Sequence, residues 1–234
     1  MKIALFGYGK MGKTIERIAL ERGHTIVAKI DVDSKDYELS EVDVAIDFSV
    51  PSVAFSNINL CFSKNIPIVS GTTGWLKDFG KAVKNCEKHN GAFIYASNYS
   101  LGVNLFFELN TQLAKLMKDF NDYTISLEET HHTQKLDAPS GTAITLAEGI
   151  IEQTTKEKWS LGVTEDEHTI PIVSKRIENV PGTHVVSYTS SIDEIEISHT
   201  AKNRDGFALG AVIAAEWLKD KKGVFTMKDV LGLK

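Results

Sequence analysis

The sequence predicts an α/β protein in which a doubly wound parallel sheet is joined to a smaller α+β domain with a mixed sheet. Short apolar strands alternate with helices over residues 1–100, and parallel strands need such helical crossovers. Strands rich in β-branched residues then follow one another over residues 168–200, with few helices between them. We therefore expect one domain to comprise residues 1–102 plus 205–234 and the other to comprise residues 103–204.

The first half of the chain contains five predicted strands, most of them followed by a helix. Each strand is a short apolar run, and in the helices the apolar side chains recur at helical spacing. The strands are expected at residues 3–6, 25–30, 42–48, 66–70 and 92–96. The helices are expected at residues 13–21, 51–64 and 75–89.

The pattern changes after about residue 102, where a long amphipathic helix precedes a half-buried strand that leads directly to two histidines. Helices are expected at residues 105–117, from residue 140 to about 155, and at 207–218. Strands are expected at residues 123–129, 168–176, 184–190 and 194–200. Residues 224–233 are expected to form a short strand or turn with a helical end.

Composition argues against two classes of partner. The formal net charge of −5 disfavours nucleic acid. The apolar runs are far shorter than the roughly 20 residues that a membrane span requires. Met1 leads directly into the first predicted strand, which leaves no room for a signal peptide. We therefore expect a cytoplasmic protein that acts on a small molecule and binds neither nucleic acid nor a membrane.

A glycine-rich turn after the first strand predicts a Rossmann-type dinucleotide-binding site. Gly7, Gly9 and Gly12 have the spacing Gly-x-Gly-x-x-Gly between a strand and a helix. In this pattern the first glycine permits a tight turn, the second lets the backbone approach phosphate oxygens, and the third lets the helix pack closely. A turn with a purely structural role is the alternative. The expected cofactor contacts of this pattern are Gly7, Gly9, Gly12 and Asp31.

The end of the second strand bears on the choice of cofactor. Asp31 lies nineteen positions beyond Gly12, where a carboxylate accepts hydrogen bonds from the adenosine ribose. Val32 stands where an arginine would help to hold the 2′-phosphate of NADPH. We expect NADH to be the preferred cofactor and NADPH a possible second one, with Lys29 and Lys35 as nearby cations that could still attract the phosphate.

Two further loops follow predicted strands, and ligands of open α/β sheets lie at the carboxyl ends of strands. We expect both loops to flank the nicotinamide and its ribose, and ordinary strand-to-helix turns are the alternative. The residues concerned are Gly71, Thr72 and Thr73 in the first loop, and Ala96, Ser97, Asn98 and Tyr99 in the second.

A histidine pair and a lysine precede the helix of the second domain. His131, His132 and Lys135 can protonate and hold an anionic substrate, because imidazole titrates near neutral pH and the ammonium is a fixed cation. The alternative is a packing or surface role for the histidines and a solvated charge for the lysine. Neighbouring strand residues point to opposite faces, so His131 and His132 cannot readily bind one ion, and we predict no metal site.

The turn that follows the lysine suits an anion. Ser140, Gly141 and Thr142 open the helix with free backbone N–H groups and hydroxyls, where the helix dipole favours a carboxylate or phosphate. These three residues are therefore candidate substrate contacts. Three further residues could line a substrate pocket or brace its sheet: His184, His199 and Arg204.

With these motifs in this order, the chain resembles the 4-hydroxy-tetrahydrodipicolinate reductase family, formerly called dihydrodipicolinate reductase, over nearly its whole length. The most specific part is ETHHTQKLDAPSGTA at residues 129–143, and the glycine turn, GTTG at 71–74 and ASNYSLGVN at 96–104 accompany it. The segment from residue 181 to 204 and the end of the chain also resemble the family.

The resemblance implies a homotetrameric cytoplasmic enzyme that reduces a cyclic, conjugated imine dicarboxylate to tetrahydrodipicolinate with NADH or NADPH, in the diaminopimelate route to lysine. It implies that His131 is a proton donor or acceptor and Lys135 a proton donor. It further implies substrate contacts at His132, Gly141 and Thr142. It also implies cofactor contacts at Tyr8, Lys10 and Met11, together with the cofactor contacts named above.

The chain departs from the family pattern in two places. Members are commonly longer, and the missing stretch falls between Asp31 and Val42. Val32 replaces an arginine that many members carry, which disfavours strong use of NADPH. Two alternatives remain open: another NAD(P)-dependent amino-acid-type dehydrogenase of the same two-domain plan, and a non-enzymatic module that senses nicotinamide cofactors.

Overall fold

The computed structural model describes residues 1–34, 37–203 and 205–233 and forms two compact units, Met1–Leu101 with Asp205–Lys234, and Gly102–Arg204. Lys35 and Arg204 lie outside the described residues. The strands are β1 (Lys2–Phe6), β2 (Thr25–Ile30), β3 (Val44–Asp47), β4 (Ile68–Ser70), β5 (Ala92–Tyr95), β6 (Thr124–His131), β7 (Lys158–Leu161), β8 (Thr169–Arg176), β9 (Gly182–Thr189), β10 (Glu194–Ala201) and β11 (Gly223–Phe225). The helices are α1 (Lys10–Glu21), α2 (Pro51–Ser63), α3 (Phe79–Lys88), α4 (Leu101–Met117), α5 (Gly141–Ile151), α6 (Asp205–Leu218) and α7 (Met227–Leu231).

The first unit contains a parallel sheet with the strand order β11-β5-β4-β3-β1-β2. Every pair of neighbours in it is parallel. The chain runs from β1 to β2 on one side and then returns to β3 on the other, so the strand order reverses between β1 and β3. Dinucleotides and other ligands bind at the carboxyl ends of the strands beside such a reversal. This is the Rossmann-type architecture that the sequence predicts, and the prediction is confirmed.

The sheet of the first unit is covered on both faces, as parallel sheets require. Ile3 and Leu5 of β1 point into a core shared with α1 and α6, whereas Ala4 and Phe6 point into a core shared with α2 and α3. Helix α6 approaches very closely, because a Cβ on Gly210 would lie only 1.7 Å from the carbonyl oxygen of Tyr99. The segment that follows the second unit is therefore part of the core of the first.

The second unit contains a mixed sheet with the strand order β10-β9-β6-β8-β7. β6 is parallel to β8 and antiparallel to β9. Helices α4 and α5 pack on one face, where Phe106, Leu146 and Ile172 are buried. The expected mixed α+β sheet is confirmed as well, and β6 lies in its middle.

Three details differ from the sequence-based predictions. β7 was not expected, because none of the four residues of this edge strand is fully buried, so its side chains show no clear apolar pattern. Helix α4 begins at Leu101, before residue 105, and β6 continues to His131, beyond residue 129. The last difference matters for the site, because it makes His131 a strand residue. No helix in the described part of the chain is long and apolar enough to cross a bilayer.

Candidate active site

The glycine turn has the steric features of a phosphate-binding turn. Gly7 has a φ of 86°, and a Cβ there would lie 2.2 Å from the carbonyl oxygen of Phe48. A Cβ on Gly12 would lie 2.3 Å from the carbonyl oxygen of Gly7, so helix α1 packs directly against the turn. A Cβ on Gly9 would meet no described protein atom within 4 Å. Gly7 and Gly12 are therefore required by the fold, whereas Gly9 leaves open space at the helix N-terminus, where a pyrophosphate would fit.

The residues between these glycines differ in exposure. Lys10 is exposed and Met11 is half-buried, and both lie in the first turn of α1. The hydroxyl of Tyr8 donates to Glu16, and the ammonium of Lys29 lies 2.6 Å from Glu16 Oε1 and 3.1 Å from the Tyr8 hydroxyl. The charge of Lys29 is therefore already compensated by a carboxylate.

Asp31 lies exposed at the end of β2, where the predicted ribose contact belongs. Its Oδ1 accepts a hydrogen bond from the backbone N–H of Val32 at 2.9 Å, and its own N–H donates to Ser34 Oγ at 2.9 Å. These bonds fix the carboxylate at the carboxyl edge of the sheet. The side chain of Val32 is 87% exposed and adds no positive charge there.

A buried carboxylate at the end of β3 connects the loops of this edge. Asp47 is fully buried, and it accepts hydrogen bonds from Ser49 Oγ at 2.6 Å and Asn57 Nδ2 at 3.1 Å on Oδ1. Its Oδ2 accepts from Ser70 Oγ at 2.9 Å and from Thr72 Oγ1 at 2.8 Å. Asp47 therefore holds the loop after β4 against the loop after β3. The sequence placed Asp47 in a strand and gave no sign of this role.

The two predicted cofactor loops after β4 and β5 combine buried and exposed residues. A Cβ on Gly71 would lie 2.3 Å from the ring of Phe48, and Thr72 is buried beside it, whereas Thr73 is exposed. In the second loop Ser97 is exposed and Ala96 and Asn98 are half-buried. The ring of Tyr99 is fully buried, and its hydroxyl donates to the carbonyl of Ser70 at 2.8 Å. The side chain of Tyr99 thus supports the loop from within the core.

In the second unit, β6 presents Glu129 and His131 on one face. They are two residues apart, so both follow the buried Ile125 and Leu127 in the alternation of the strand. Glu129 is opposite His184 on β9 and opposite Ser174 on β8. The rings of His131 and His184 meet edge to face, with their centroids 5.0 Å apart. The structure thus brings together a carboxylate and two imidazoles from distant parts of the chain.

Glu129 is fully buried and accepts several hydrogen bonds. Both of its oxygens lie 3.1 Å from the backbone nitrogen of Ser140, and Oε1 accepts from Ser174 Oγ at 2.8 Å. Arg176 Nη2 lies 3.5 Å from the same oxygen. Burial alone would raise the pKa of Glu129, but His184, Ser140 and Ser174 outweigh it and hold that pKa well below its ordinary value. The carboxylate is therefore ionised at neutral pH.

His131 is buried, and its environment favours the neutral imidazole. Burial lowers the pKa of His131 to about 4, assisted by His184, Lys135 and Arg176 and opposed by Glu129. Its Nδ1 has no hydrogen-bond partner among the described residues, and Glu129 Oε2 lies 3.6 Å from it. Without a ligand, His131 is therefore a neutral base near pH 7, with an ionised carboxylate beside it.

The loop between β6 and α5 carries the predicted lysine and is held by an arginine that the sequence analysis missed. Lys135 Nζ lies 2.7 Å from Asp137 Oδ2, and the lysine side chain is 22% exposed. Arg176 donates from Nε to the carbonyl of Lys135 at 3.2 Å and from Nη2 to the carbonyl of Asp137 at 2.7 Å. His132 is half-buried, and its Nδ1 has no partner in the described part of the chain. Arg176 thus fixes the backbone that presents the ammonium.

Helix α5 begins with a well-formed N-terminus. Ser140 is the N-cap, and its hydroxyl accepts the N–H of Ala143 at 3.2 Å and lies 3.2 Å from His184 Nε2. Ser140 is buried, so its hydroxyl serves the fold. Gly141 is exposed and Thr142 half-buried, and their backbone N–H groups have no acceptor among the described residues. Two amides of this helix N-terminus are therefore available to a carboxylate.

The remaining histidine of the second sheet is His199, which lies beside His184. His199 is paired with His184 across β9 and β10, and burial, together with His184, lowers the pKa of His199. His199 also lies against Gly102, where a Cβ would be 2.9 Å from Nε2. His199 thus braces the sheet. A search of the sequence for ionisable residues two positions apart along a strand would have found Glu129, but no local signal identifies Ser174 or Arg176.

Comparisons with known proteins cover both units. Residues 1–99 match the family model for the N-terminus of dihydrodipicolinate reductase, and residues 102–231 match the model for its C-terminus. A 4-hydroxy-tetrahydrodipicolinate reductase from Christiangramia forsetii is 63% identical over 234 residues, which cover 99% of this chain and 98% of that protein. The protein of the same name from Pseudoalteromonas atlantica is 34% identical over an alignment of 267 positions, which covers 99% of both chains.

Solved structures give the same result for the fold. The dipicolinate-bound dihydrodipicolinate reductase from Paenisporosarcina sp. TG-14 matches with a TM-score of 0.78 at 23% identity, covering 97% of each chain. A probable dehydrogenase from Thermotoga maritima matches with a TM-score of 0.61 at 11% identity, covering 98% of this chain and 92% of that one. Because the family models and the relatives cover the chain from end to end, it belongs to the dihydrodipicolinate reductase family.

Proposed function

We propose that the protein is an NAD(P)H-dependent 4-hydroxy-tetrahydrodipicolinate reductase, which reduces a cyclic imine dicarboxylate to tetrahydrodipicolinate in the diaminopimelate route to lysine. One observation carries the proposal: a single segment of the second unit, residues 131–142, holds an ammonium, a buried imidazole and two free amides at a helix N-terminus. These groups are what an anionic ring that must gain a proton requires. The relatives at 63% and 34% identity bear the name of this enzyme.

The residues of the first unit fit a dinucleotide. The open space at Gly9 and the N-terminus of α1 would hold the pyrophosphate, and Asp31 would hold the adenosine ribose. The loops at residues 71–73 and 96–99 would flank the nicotinamide. The buried side chains of Asp47 and Tyr99 hold these loops in place. When bound, the reduced nicotinamide supplies the hydride.

NADH is the proposed preferred cofactor, and NADPH a second one. Lys29 is paired with Glu16 at 2.6 Å, so its charge is not free for a 2′-phosphate. Val32 is exposed and neutral, and Asp31 would repel a phosphate beside it. Comparing kcat/KM for the two cofactors tests this preference, and Val32→Arg should shift it toward NADPH by about tenfold. A tenfold advantage of NADPH in the unaltered protein would contradict the proposal.

Proton transfer is assigned mainly to Lys135. As hydride reaches the conjugated ring, negative charge develops toward the ring nitrogen, and an ammonium within hydrogen-bond reach can neutralise it. The proton would come from the side chain of Lys135, whereas His131, with a pKa of about 4, is neutral and accepts, relays or orients the proton. The amides of Gly141 and Thr142, with His132, would hold one substrate carboxylate.

The cluster of Glu129, His131 and His184 is proposed to work without a metal ion. Its donor atoms lie within 4.8 Å of one another, which by distance alone would admit a cation. However, the guanidinium of Arg176 already compensates the carboxylate, and the positive charge of Lys135 helps to lower the pKa of His131. Full activity after dialysis against a chelator would support this, and loss of activity that zinc restores would contradict it.

The larger assembly and location are proposals that rest on the family. A homotetramer is the proposed assembly, and the edge strand β10 of the second sheet offers unpaired backbone groups for contacts between copies. We also propose that Met1–Leu101 with Asp205–Lys234 is the cofactor domain and Gly102–Arg204 the substrate and oligomerisation domain. The enzyme would act in the cytoplasm, where reduced nicotinamide cofactors are available. Light scattering measures the number of subunits.

The direct test is oxidation of NADH with freshly prepared 4-hydroxy-tetrahydrodipicolinate, followed by the absorbance of the reduced nicotinamide. Rapid oxidation that requires this substrate supports the proposal. Oxidation only with oxo acids and ammonia would instead indicate an amino-acid-type dehydrogenase. Cofactor binding without turnover of either substrate would indicate a sensing module. The variant Lys135→Ala further separates a dehydrogenase from a sensing module, because it would lower the turnover of an enzyme but would leave cofactor binding by a sensing module unchanged.

A further inference from the structure

Glu129 occupies an unusual position for a carboxylate that has no place in the proposed reaction. It is fully buried in the middle strand of the second sheet, two residues before His131 and on the same face. A buried charge is costly unless it is compensated by hydrogen bonds or opposite charges. Its position next to the proposed proton-handling group therefore suggests a role beyond packing.

The contacts of Glu129 leave its Oε2 able to accept a further hydrogen bond. Oε1 is occupied by Ser174 and Arg176, and the backbone N–H of Ser140 lies 3.1 Å from both oxygens. Oε2 also faces His131 Nδ1 at 3.6 Å and His184 Nε2 at 3.7 Å. Nδ1 of His131 is enclosed and has no other acceptor among the described residues. Such distances shorten when a site closes on its ligand.

The other nitrogen of the ring is placed differently. Nε2 of His131 faces Gly182, where an added Cβ would lie 3.1 Å from it. The absence of a side chain at residue 182 leaves Nε2 uncovered, unlike Nδ1. A proton can therefore be exchanged with a ligand through Nε2, provided that the proton of the neutral ring is on Nδ1. Which nitrogen carries the proton is set by the hydrogen bond that the other one makes.

We propose that Glu129 is a positioning residue of the reductase proposed above: its carboxylate holds the proton of the neutral His131 ring on Nδ1 and so keeps the lone pair of Nε2 free to accept a hydrogen bond from the substrate or to relay to it the proton that Lys135 supplies. The inference depends on that proposed function only for its catalytic consequence. The same carboxylate holds the N-cap of α5 through the N–H of Ser140, so it fixes the imidazole and the anion-binding amides relative to each other.

An amide cannot replace this carboxylate. Glu129 faces only donors at Ser140, Ser174 and Arg176, and an ionised carboxylate only accepts hydrogen bonds. In Glu129→Gln the oxygen would be retained by these donors, and the NH₂ group would then point toward His131 Nδ1. An NH₂ group donates, so it would favour the opposite tautomer, with the proton on Nε2.

The decisive measurement is NMR of the histidine ring nitrogens in the full-length protein near pH 7. We expect the proton of His131 on Nδ1 in the unaltered protein and predominantly on Nε2 in Glu129→Gln. Glu128→Gln is the matched control, because Glu128 is the preceding residue on the opposite face, half-exposed and paired with Lys175 at 2.6 Å. The proposal fails if the unaltered protein carries the proton on Nε2, a result that needs no variant to fold.

Kinetics supply the catalytic readout. We expect Glu129→Gln to lower kcat by about 100-fold, which lies within the range for a general acid or base. KM for NADH should stay within about twofold, and Glu128→Gln should leave both parameters unchanged. A folded Glu129→Gln protein with normal kcat, or with a lowered melting temperature and an unchanged tautomer, would reduce Glu129 to a structural role. If the unaltered protein shows no reductase activity, the proposed function fails, while the tautomer measurement still decides the placement of the proton.

Discussion

Asp47 and Glu129 are both fully buried carboxylates on strands, one in each unit, yet their partners differ in kind. Asp47 accepts from three hydroxyls and an amide, and no cation pairs with it in the described part of the chain. Glu129 is surrounded by an arginine and two histidines in addition to neutral donors. Neutral partners do not change their own charge with pH, whereas titratable partners couple geometry to protonation. The first arrangement suits a cofactor scaffold and the second a proton-transfer site.

The largest expected effect is that of removing the proposed proton donor, Lys135, which lies in the same unit as Glu129. Lys135→Ala should reduce kcat by roughly 10²- to 10⁴-fold while NADH still binds, because the lysine belongs to the second unit and the predicted cofactor residues to the first. Steady-state kinetics and calorimetric titration with NADH measure the two quantities. Lys175→Ala, which removes an exposed lysine paired with Glu128, is the control. An unchanged kcat in Lys135→Ala would remove the lysine from the mechanism.

The surroundings of Glu129 and of Asp47 should also differ in how they make the stability of the protein depend on pH. The pKa of His131 is about 4 in the folded protein and near 6.5 when unfolded, so between these values the unfolded chain binds more protons. The free energy of unfolding should therefore fall as the pH drops from about 6.5 to 4, by up to roughly 3 kcal/mol.

Chemical denaturation at a series of pH values tests this slope. His131→Gln should flatten it, and His199 adds a smaller contribution of the same sign because its pKa is also lowered. The ionisation of Glu129 contributes only below about pH 4.5, since its pKa is lowered from that value. An equal slope in His131→Gln and the unaltered protein would show that His131 is not held neutral by the fold.

Asp47→Asn should have a moderate effect that does not vary with pH around neutrality. One face of the new amide would be an NH₂ group set against hydroxyl or amide donors, and Thr72 Oγ1 already accepts the N–H of Ser49. Leaving a buried donor unpaired costs about 1–3 kcal/mol. We expect that loss of unfolding free energy together with weaker NADH binding. Normal NADH affinity in a destabilised variant would limit Asp47 to the fold.

The smallest expected effect distinguishes the fold from the ligand within the cofactor turn. Gly9→Ala should change stability by less than about 0.5 kcal/mol, because its Cβ meets no described atom, yet it should weaken NADH binding by about tenfold. Gly12→Ala should instead destabilise the protein by about 1–3 kcal/mol, because its Cβ would lie 2.3 Å from the Gly7 carbonyl. Thermal unfolding and titration with NADH separate the two. Equal losses of stability would mean that no open cradle exists at Gly9.

Local patterns predicted the succession of strands and helices in the first half, the glycine turn and the segment of His131 and Lys135, because each depends on residues close in sequence. The partners of Glu129 could not be predicted in this way. Ser174 and His184 reach it through the pairing of β6 with β8 and β9, and a register is not encoded in any single segment. Asp47 was hidden for a similar reason, since its partners lie in the loop after β3, in α2, at the end of β4 and in the loop after β4.

The contact between Gly210 and Tyr99 has a consequence for how the molecule is made. Helix α6 and β11 are synthesised after the second unit, but α6 fills the core over Ile3, Leu5 and Tyr99, and β11 adds to the sheet beside β5. A nascent chain ending at Leu101 would leave that apolar surface facing water. Gly102–Arg204, in contrast, is continuous and has its own core. On the ribosome the middle of the chain can therefore fold before its beginning.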